Sequence, residues 1–383
     1  MMRISIAYPF RKLINSTEAN RKESILQYIG ERSQLLSSRH PRIYLLTVYC
    51  IALLGYAYLL LFPTIFIVSS LAIFRSLSSY QTLAVEQLLI QVSVLAVSAL
   101  VTYRIIRFRP ALPESTVRKT NEPSAMLCQL MDDYVRHYRS IKIDRIVFSS
   151  DYEIDIIRAP RWPLPIWSRS TLVIGLPIIQ CFSVTRFQCA LARRIGQFAR
   201  RRLWQGNLLY QLRDIWPLYI ESSDHSSFGY QPVRWFISVY APIYRIISAS
   251  VARTDELAAD TCAMELFNDE DVLDLITVQM ACLRYLEDEC LPAMQKMQAS
   301  HSLAADGIAA GTVSLICKLI HSDRMVHWVS KAGSAETRLD DNLPGLAVRA
   351  KNIGHTQARM RITEPESAAS VYLSSVNNRN ESQ

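Results

Sequence analysis

The chain has 383 residues, half of them hydrophobic, with 42 Lys and Arg against 34 Asp and Glu and a net charge of +8. That apolar content supplies a substantial core and excludes a chain too polar to fold, and the length fits a membrane segment joined to one globular domain of about 200 residues. The positive excess sits in residues 1–42, with eight Lys and Arg against three Glu, and at Arg193, Arg194, Arg200, Arg201 and Arg202. Membrane proteins carry such residues for topology and lipid contact, so nucleic acid is a poor partner reading.

Residues 1–42 form a basic N-terminal segment with a helix expected around Ser24–Leu36. It is no signal peptide, because the first apolar run starts only at Ile43. No charged residue stands between Ile43 and Phe74, ample for the roughly 20 residues a bilayer needs, and Pro63 is expected to kink or end the span. A second uncharged run, Gln87–Tyr103, is extended by Ile105 and Ile106. Together they predict a transmembrane hairpin over residues 43–109. Arg32, Arg39 and Arg42 flank one end, and Arg104, Arg107, Arg109, Arg118 and Lys119 the other, while the connection offers only Arg75. By the positive-inside rule both flanks are cytoplasmic, which places the following domain in the cytosol.

A linker at Pro110–Pro123 leads into an amphipathic helix, Met126–Tyr138. Three short strands follow at Ile146–Phe148, Tyr152–Ile157 and Leu172–Ile174. Phe187–Leu203 reads as one helix, its apolar face carrying Phe187, Leu191, Ile195 and Phe198, with Arg193, Arg194, Gln197, Arg200 and Arg201 on other faces. Leu208–Ile220, Val233–Ser250, Thr254–Phe267 and Asp271–Glu289 are further helices, with one short apolar helix in residues 300–330. Arg234 and Arg245 interrupt Val233–Val251, which reads as a buried or interfacial helix rather than a third span. Residues 331–383 are a polar, partly disordered tail. The fold class is mainly α, with a small sheet in the domain at 110–330.

The eight cysteines lack C-x-x-C spacing and read as buried reduced thiols. None of the seven histidines pairs at helical metal-ligand spacing, and no G-x-S-x-G or phosphate loop occurs.

Leu172–Ile179, LVIGLPII, followed by Leu191–Phe198, LARRIGQF, and then by Arg253–Asp260, RTDELAAD, resembles the membrane-anchored zinc endopeptidases that include HtpX and the CAAX prenyl protease. The resemblance implies a zincin-type domain. In active relatives two histidines four apart and a later glutamate bind zinc, and a glutamate after the first histidine is the general base. The matching positions here are Arg193, Gln197, Glu256 and Arg194, and Asp260 matches the residue that orients a ligand histidine. A guanidinium cannot deprotonate to become a ligand. At about 5 Å and an effective dielectric near 20 it would repel Zn²⁺ by roughly 7 kcal/mol. Catalytic and metal residues are therefore none, and zinc belongs only to the active relatives. A histidine-proline followed by arginine near the family's C-terminus is matched to the degraded Gly333–Leu339, GSAETRL.

These residues imply a pseudoprotease anchored in the lipid bilayer that binds a protein or peptide partner, or regulates an active relative, without cleavage. The alternative is an active zinc metalloendopeptidase with atypical ligands. In the first reading Arg193 reaches Glu256 and replaces the metal as a structural tie, Arg194 points elsewhere, and Arg200–Arg202 are available to headgroups or a partner.

Overall fold

The computed structural model describes residues 16–78, 85–107, 123–140, 142–160, 168–200, 209–217, 231–293, 305–335, 337, 341–357, 360 and 367–373. The connection at 79–84, most of the 110–123 linker, the turn at 161–167 and Arg201 and Arg202 lie outside them. So do residues 1–15 and the last ten.

The first helix, α1 (Ser16–Arg39), is longer at both ends than the sequence suggests. It is followed by α2 (Pro41–Ser78) and α3 (Val85–Arg107). Pro63 lies inside α2 without ending it, a tolerance expected of long apolar helices whose freed carbonyl finds other partners. At 38 residues α2 is about 57 Å long, well beyond the roughly 30 Å of a hydrocarbon core.

Then come α4 (Ala125–His137) and the sheet. Ser124 caps α4, its hydroxyl accepting from Leu127 N–H at 3.2 Å. Strands β1 (Arg145–Ser149), β2 (Ile154–Pro160) and β3 (Ser168–Gly175) stand in the order β1-β3-β2, β1 parallel and β2 antiparallel to β3. The LVIGLP motif therefore spans the end of the central strand and the start of a helix, α5 (Leu176–Cys181). Gly175 is required at this corner, because a Cβ there would overlap the Asp151 carbonyl oxygen.

The central helix, α6, runs Val184–Arg200 and is buried on nearly every side. Val233–Ser250 and Thr254–Phe267 are not separate helices: α7 runs unbroken from Gln231 to Ala263. Its 33 residues make it a third helix, after α2 and α3, long and apolar enough to cross a membrane. The apolar window ending at Val251 understated its length. Three helices of this kind are the signature of a membrane protein. The described part of the expected Leu208–Ile220 helix, residues 209–217, holds a single π-turn, Gln211–Ile215.

Tyrosines tie α7 to α2. Tyr44 and Tyr58 on α2 donate to the carbonyls of Ile247 and Pro232, and Tyr240 on α7 donates to Ile51 at 2.8 Å. As one partner number rises the other falls, so the two helices run antiparallel along this length. Val101 and Ile105 of α3 share the same apolar cluster with Val48 and Val233.

Next are α8 (Asp269–Tyr285), which continues through a π-turn to Cys290, α9 (Ala305–Ile320), α10 (Arg324–Ser334), α11 (Leu346–Asn352) and α12 (Ala368–Tyr372). The last two fall in the segment read above as a polar tail, yet Leu346, Ala350, Ala368 and Tyr372 are buried in the main core. Helices of seven and five residues are too short to show a period in sequence.

The reading of all eight cysteines as reduced thiols is corrected. Cys181 on α5 and Cys317 on α9 form a disulfide, with Cα atoms 4.9 Å apart across 136 residues of sequence. Only the packing of α9 on α5 reveals that proximity. Closing so long a loop restrains the unfolded chain, so Cys317→Ser should cost about 2–4 kcal/mol. The check is the melting temperature with and without reductant: equal values in both buffers, and for the variant, would show that the bond contributes nothing. Among the other cysteines, burial pushes the Cys189 and Cys282 thiols up to about 12, which makes them inert.

Candidate functional site

The site is built where α6 crosses α7. Gly196 allows the close approach: a Cβ there would stand 2.5 Å from Cys262 Cβ. Gly196→Ala should therefore cost about 1–3 kcal/mol by overpacking. Denaturant unfolding measures this, and a variant as stable as the parent would show that the crossing can relax. Ser183 accepts from Arg186 N–H at 3.5 Å at the start of α6. The Arg186 guanidinium forks onto Asp274 of α8 at 2.6 and 3.1 Å, holding the helix's other side.

One turn before Gly196, Arg193 enters the crossing with only 2% of its surface exposed. Its Nε donates to Asp260 Oδ1 at 2.6 Å and its Nη2 donates to Glu256 Oε2. Glu256 Oε1 accepts from Gln197 Nε2 at 2.7 Å and from Arg194 Nη1 at 3.1 Å, and Arg194 also donates to Gln197 Oε1 at 2.7 Å. Asp260, fully buried, is gripped from its other side by Arg349 of α11, at 2.9 and 2.6 Å.

Three guanidiniums thus face two carboxylates, and Glu153 stands 3.6 Å from Arg194 at the edge of the group. Glu256 and Asp260 are each held by two guanidiniums, so neither leaves an uncompensated negative charge in this interior, which would be costly. Burial by itself would lower both arginines. Glu256 and Asp260 more than reverse that for Arg193, as Glu256, Asp155 and Glu153 do for Arg194, so both stand above the ordinary arginine pKa. Glu153, half-exposed just before edge strand β2, is raised by burial of its carboxylate and then by repulsion from Asp155. A cavity of about 250 Å³ lies against the group, lined by Glu153, Asp155 and Ile157 on one side and by Arg194, Glu256 and Arg349 on another.

All five residues singled out in the sequence, Arg193, Arg194, Gln197, Glu256 and Asp260, therefore meet. Two expectations about them are corrected. Arg194 does not point away: Glu256 has two oxygens, Arg193 takes one, and the long neighbouring side chain reaches the other. Asp260 has no histidine to orient but is not idle, since it binds two arginines.

Arg349 is the residue missed. It lies on a seven-residue helix outside every motif singled out in the sequence and carried no local signal. The Arg186–Asp274 pair had none either, because its partners are 88 residues apart on separate helices.

These residues do not fit zinc. The Arg193 guanidinium fills the space between the two carboxylates, and both carboxylates already hold hydrogen-bonded cations. Among the described residues no three of His, Cys, Asp and Glu converge as a metal-ligand set. Comparison with family models, curated proteins and solved structures finds no match to this chain.

Proposed function

We propose that the chain is a membrane-anchored pseudoprotease: a transmembrane hairpin, α2 and α3, carrying a zincin-type domain that holds protein or peptide segments, or regulates an active relative, without cutting them. The observation that carries this reading is the Arg193 guanidinium bonded to both Glu256 and Asp260. An arginine there ties the two helices as a metal would, and Arg194, at the position of the relatives' general base, cannot accept a proton. Edge strand β2, paired on one side to β3, and the adjacent cavity supply a place for an extended segment to pair by its main chain.

Zinc analysis of the purified protein tests the proposal. Fewer than about one zinc per ten chains is expected; stoichiometric zinc lost on Glu256→Ala would establish the alternative, an active metalloendopeptidase with atypical ligands. Lys and Arg at both flanks of the hairpin support a cytoplasmic domain in this reading. The Cys181–Cys317 bond pulls the other way, since such bonds persist in oxidising compartments. Trapping thiols in intact cells before lysis decides: a bond already formed there would overturn the cytoplasmic placement.

A further inference from the structure

The exposed face of α2 has a period of its own. Leu46, Leu53, Leu60, Ile67 and Phe74 recur every seven residues, and all five are exposed. Cys50, Ala57 and Thr64 stand between them at the same interval and are exposed too. The two sets alternate by four and three residues, which is the spacing of a left-handed helix seam. No charged residue interrupts it, and the Thr64 hydroxyl already donates to the Leu60 carbonyl at 2.8 Å.

Lipid covers only part of this face. α2 outruns α7, because the bond from Tyr58 to the Pro232 carbonyl lies in the first turn of α7. Beyond it residues 60–78 continue for about 28 Å, close to the roughly 30 Å of a hydrocarbon core. Towards the other end, Leu45 and Tyr49 line a second cavity, about 290 Å³, together with Arg200, Arg213, Asp214 and Asp255. Those charged side chains place the first turns of α2 beside the polar domain and outside the hydrocarbon. Leu46, Leu53 and Leu54 are nevertheless exposed along this stretch. A contiguous apolar stripe in water marks an interaction surface.

We propose that this face is covered by the same face of a second copy of the chain, in a parallel dimer whose two-fold axis runs along the seam. Membrane insertion gives both copies one direction, and a parallel seven-residue seam sets each residue against its own equivalent. Cys50, Ala57 and Thr64 are small enough to let the backbones approach, and the larger residues fill the layers between them. With Leu54 and Leu61 alongside, the face offers on the order of 800 Å² per chain, the share one partner gives to a standard interface. The opposite face of α2, with Tyr44, Val48, Tyr56 and Leu59, is buried in the cluster that α7 and the sheet complete, so the two domains lie outside the pair. The proposal rests on α2 crossing the membrane and is independent of the pseudoprotease reading.

The test is oxidative cross-linking of the full chain in membrane vesicles. Copper phenanthroline should join Cys50 to Cys50 of the second copy, giving a species of twice the chain mass that Cys50→Ser abolishes. In the Cys50→Ser background Ala57→Cys or Thr64→Cys should restore it, and Ile90→Cys, at an exposed position of α3, should not. Ala57→Phe, at an exposed position that the monomer's packing does not use, should raise the dimer dissociation constant in detergent about tenfold by holding the backbones apart. Equal cross-linking through Ile90→Cys would mean random collision and overturns the dimer. So does the absence of a dimer from all three seam positions, which would leave the face to lipid, and so does an adduct of any other mass, which would assign it to a different protein. Release of the protein from vesicles by alkaline carbonate without detergent would defeat the membrane anchoring itself, a readout separate from dimerisation.

Discussion

Arg193→Ala should destabilise the protein by about 3 kcal/mol, the low end of the range for breaking a buried ion pair. The substitution removes charge-assisted bonds to Glu256 and Asp260 and leaves a cavity where an almost wholly buried side chain stood. The loss is held to that low end because each carboxylate keeps a cation, Arg194 on Glu256 and Arg349 on Asp260. Arg193→Lys should recover little, since one ammonium cannot reproduce a fork that reaches two carboxylates on successive turns of α7. Arg194→Ala should cost clearly less: its side chain is 12% exposed and makes a single bond to Glu256, at 3.1 Å. The ordering is the sharper test. Denaturant unfolding that ranks Arg194→Ala at or above Arg193→Ala would show that Arg193 is not the tie between α6 and α7. Adding Asp260→Asn in the Arg193→Ala background should deepen the loss, because the buried Arg349 guanidinium is then left without its carboxylate.

The triple substitution Arg193→His, Arg194→Glu and Gln197→His should give a chain that binds zinc stoichiometrically. The three changes remove two of the three guanidiniums and place imidazoles one helical turn apart, on the positions that now touch Glu256 and Asp260. Glu256 is then free to act as third ligand. Asp260, still gripped by Arg349 at 2.9 and 2.6 Å, is placed to orient a histidine. A three-ligand set of this kind keeps an open position for water, so weak proteolysis is possible but is not required. Competition against a chromophoric chelator measures the affinity. Submicromolar binding lost on Glu256→Ala is the expected result, and a folded triple variant with no zinc would sink the zincin-type reading. The remaining Arg349 sets the limit: it faces Asp260 rather than Glu256, so its repulsion of the metal is felt at one remove.

How much of this was legible before folding follows from where each signal resides. The apolar runs of α2 and α3, the central helix and the strand entering α5 are local patterns, and one face of a helix or one uncharged stretch suffices to predict them. The meeting of Arg193 with Glu256 was expected only through the resemblance, which brings the two motifs to one crossing. What the sequence alone determined, then, is the membrane-length helices α2 and α3, the mainly helical class with a small sheet, and charged residues on α6 and α7 from which a centre could be built. Tertiary structure decided which charges join it. Arg194 turned inward because Glu256 had a second oxygen to satisfy, and Arg349 entered from a helix of seven residues that has no readable period. Cys181 and Cys317 paired because α9 packs on α5, a contact 136 residues apart in sequence. The physical reason is common to all three: a buried charge or thiol takes its partner from whatever the packed chain brings within about 3 Å, and that neighbour is set by the fold as a whole, not by the residues beside it in sequence.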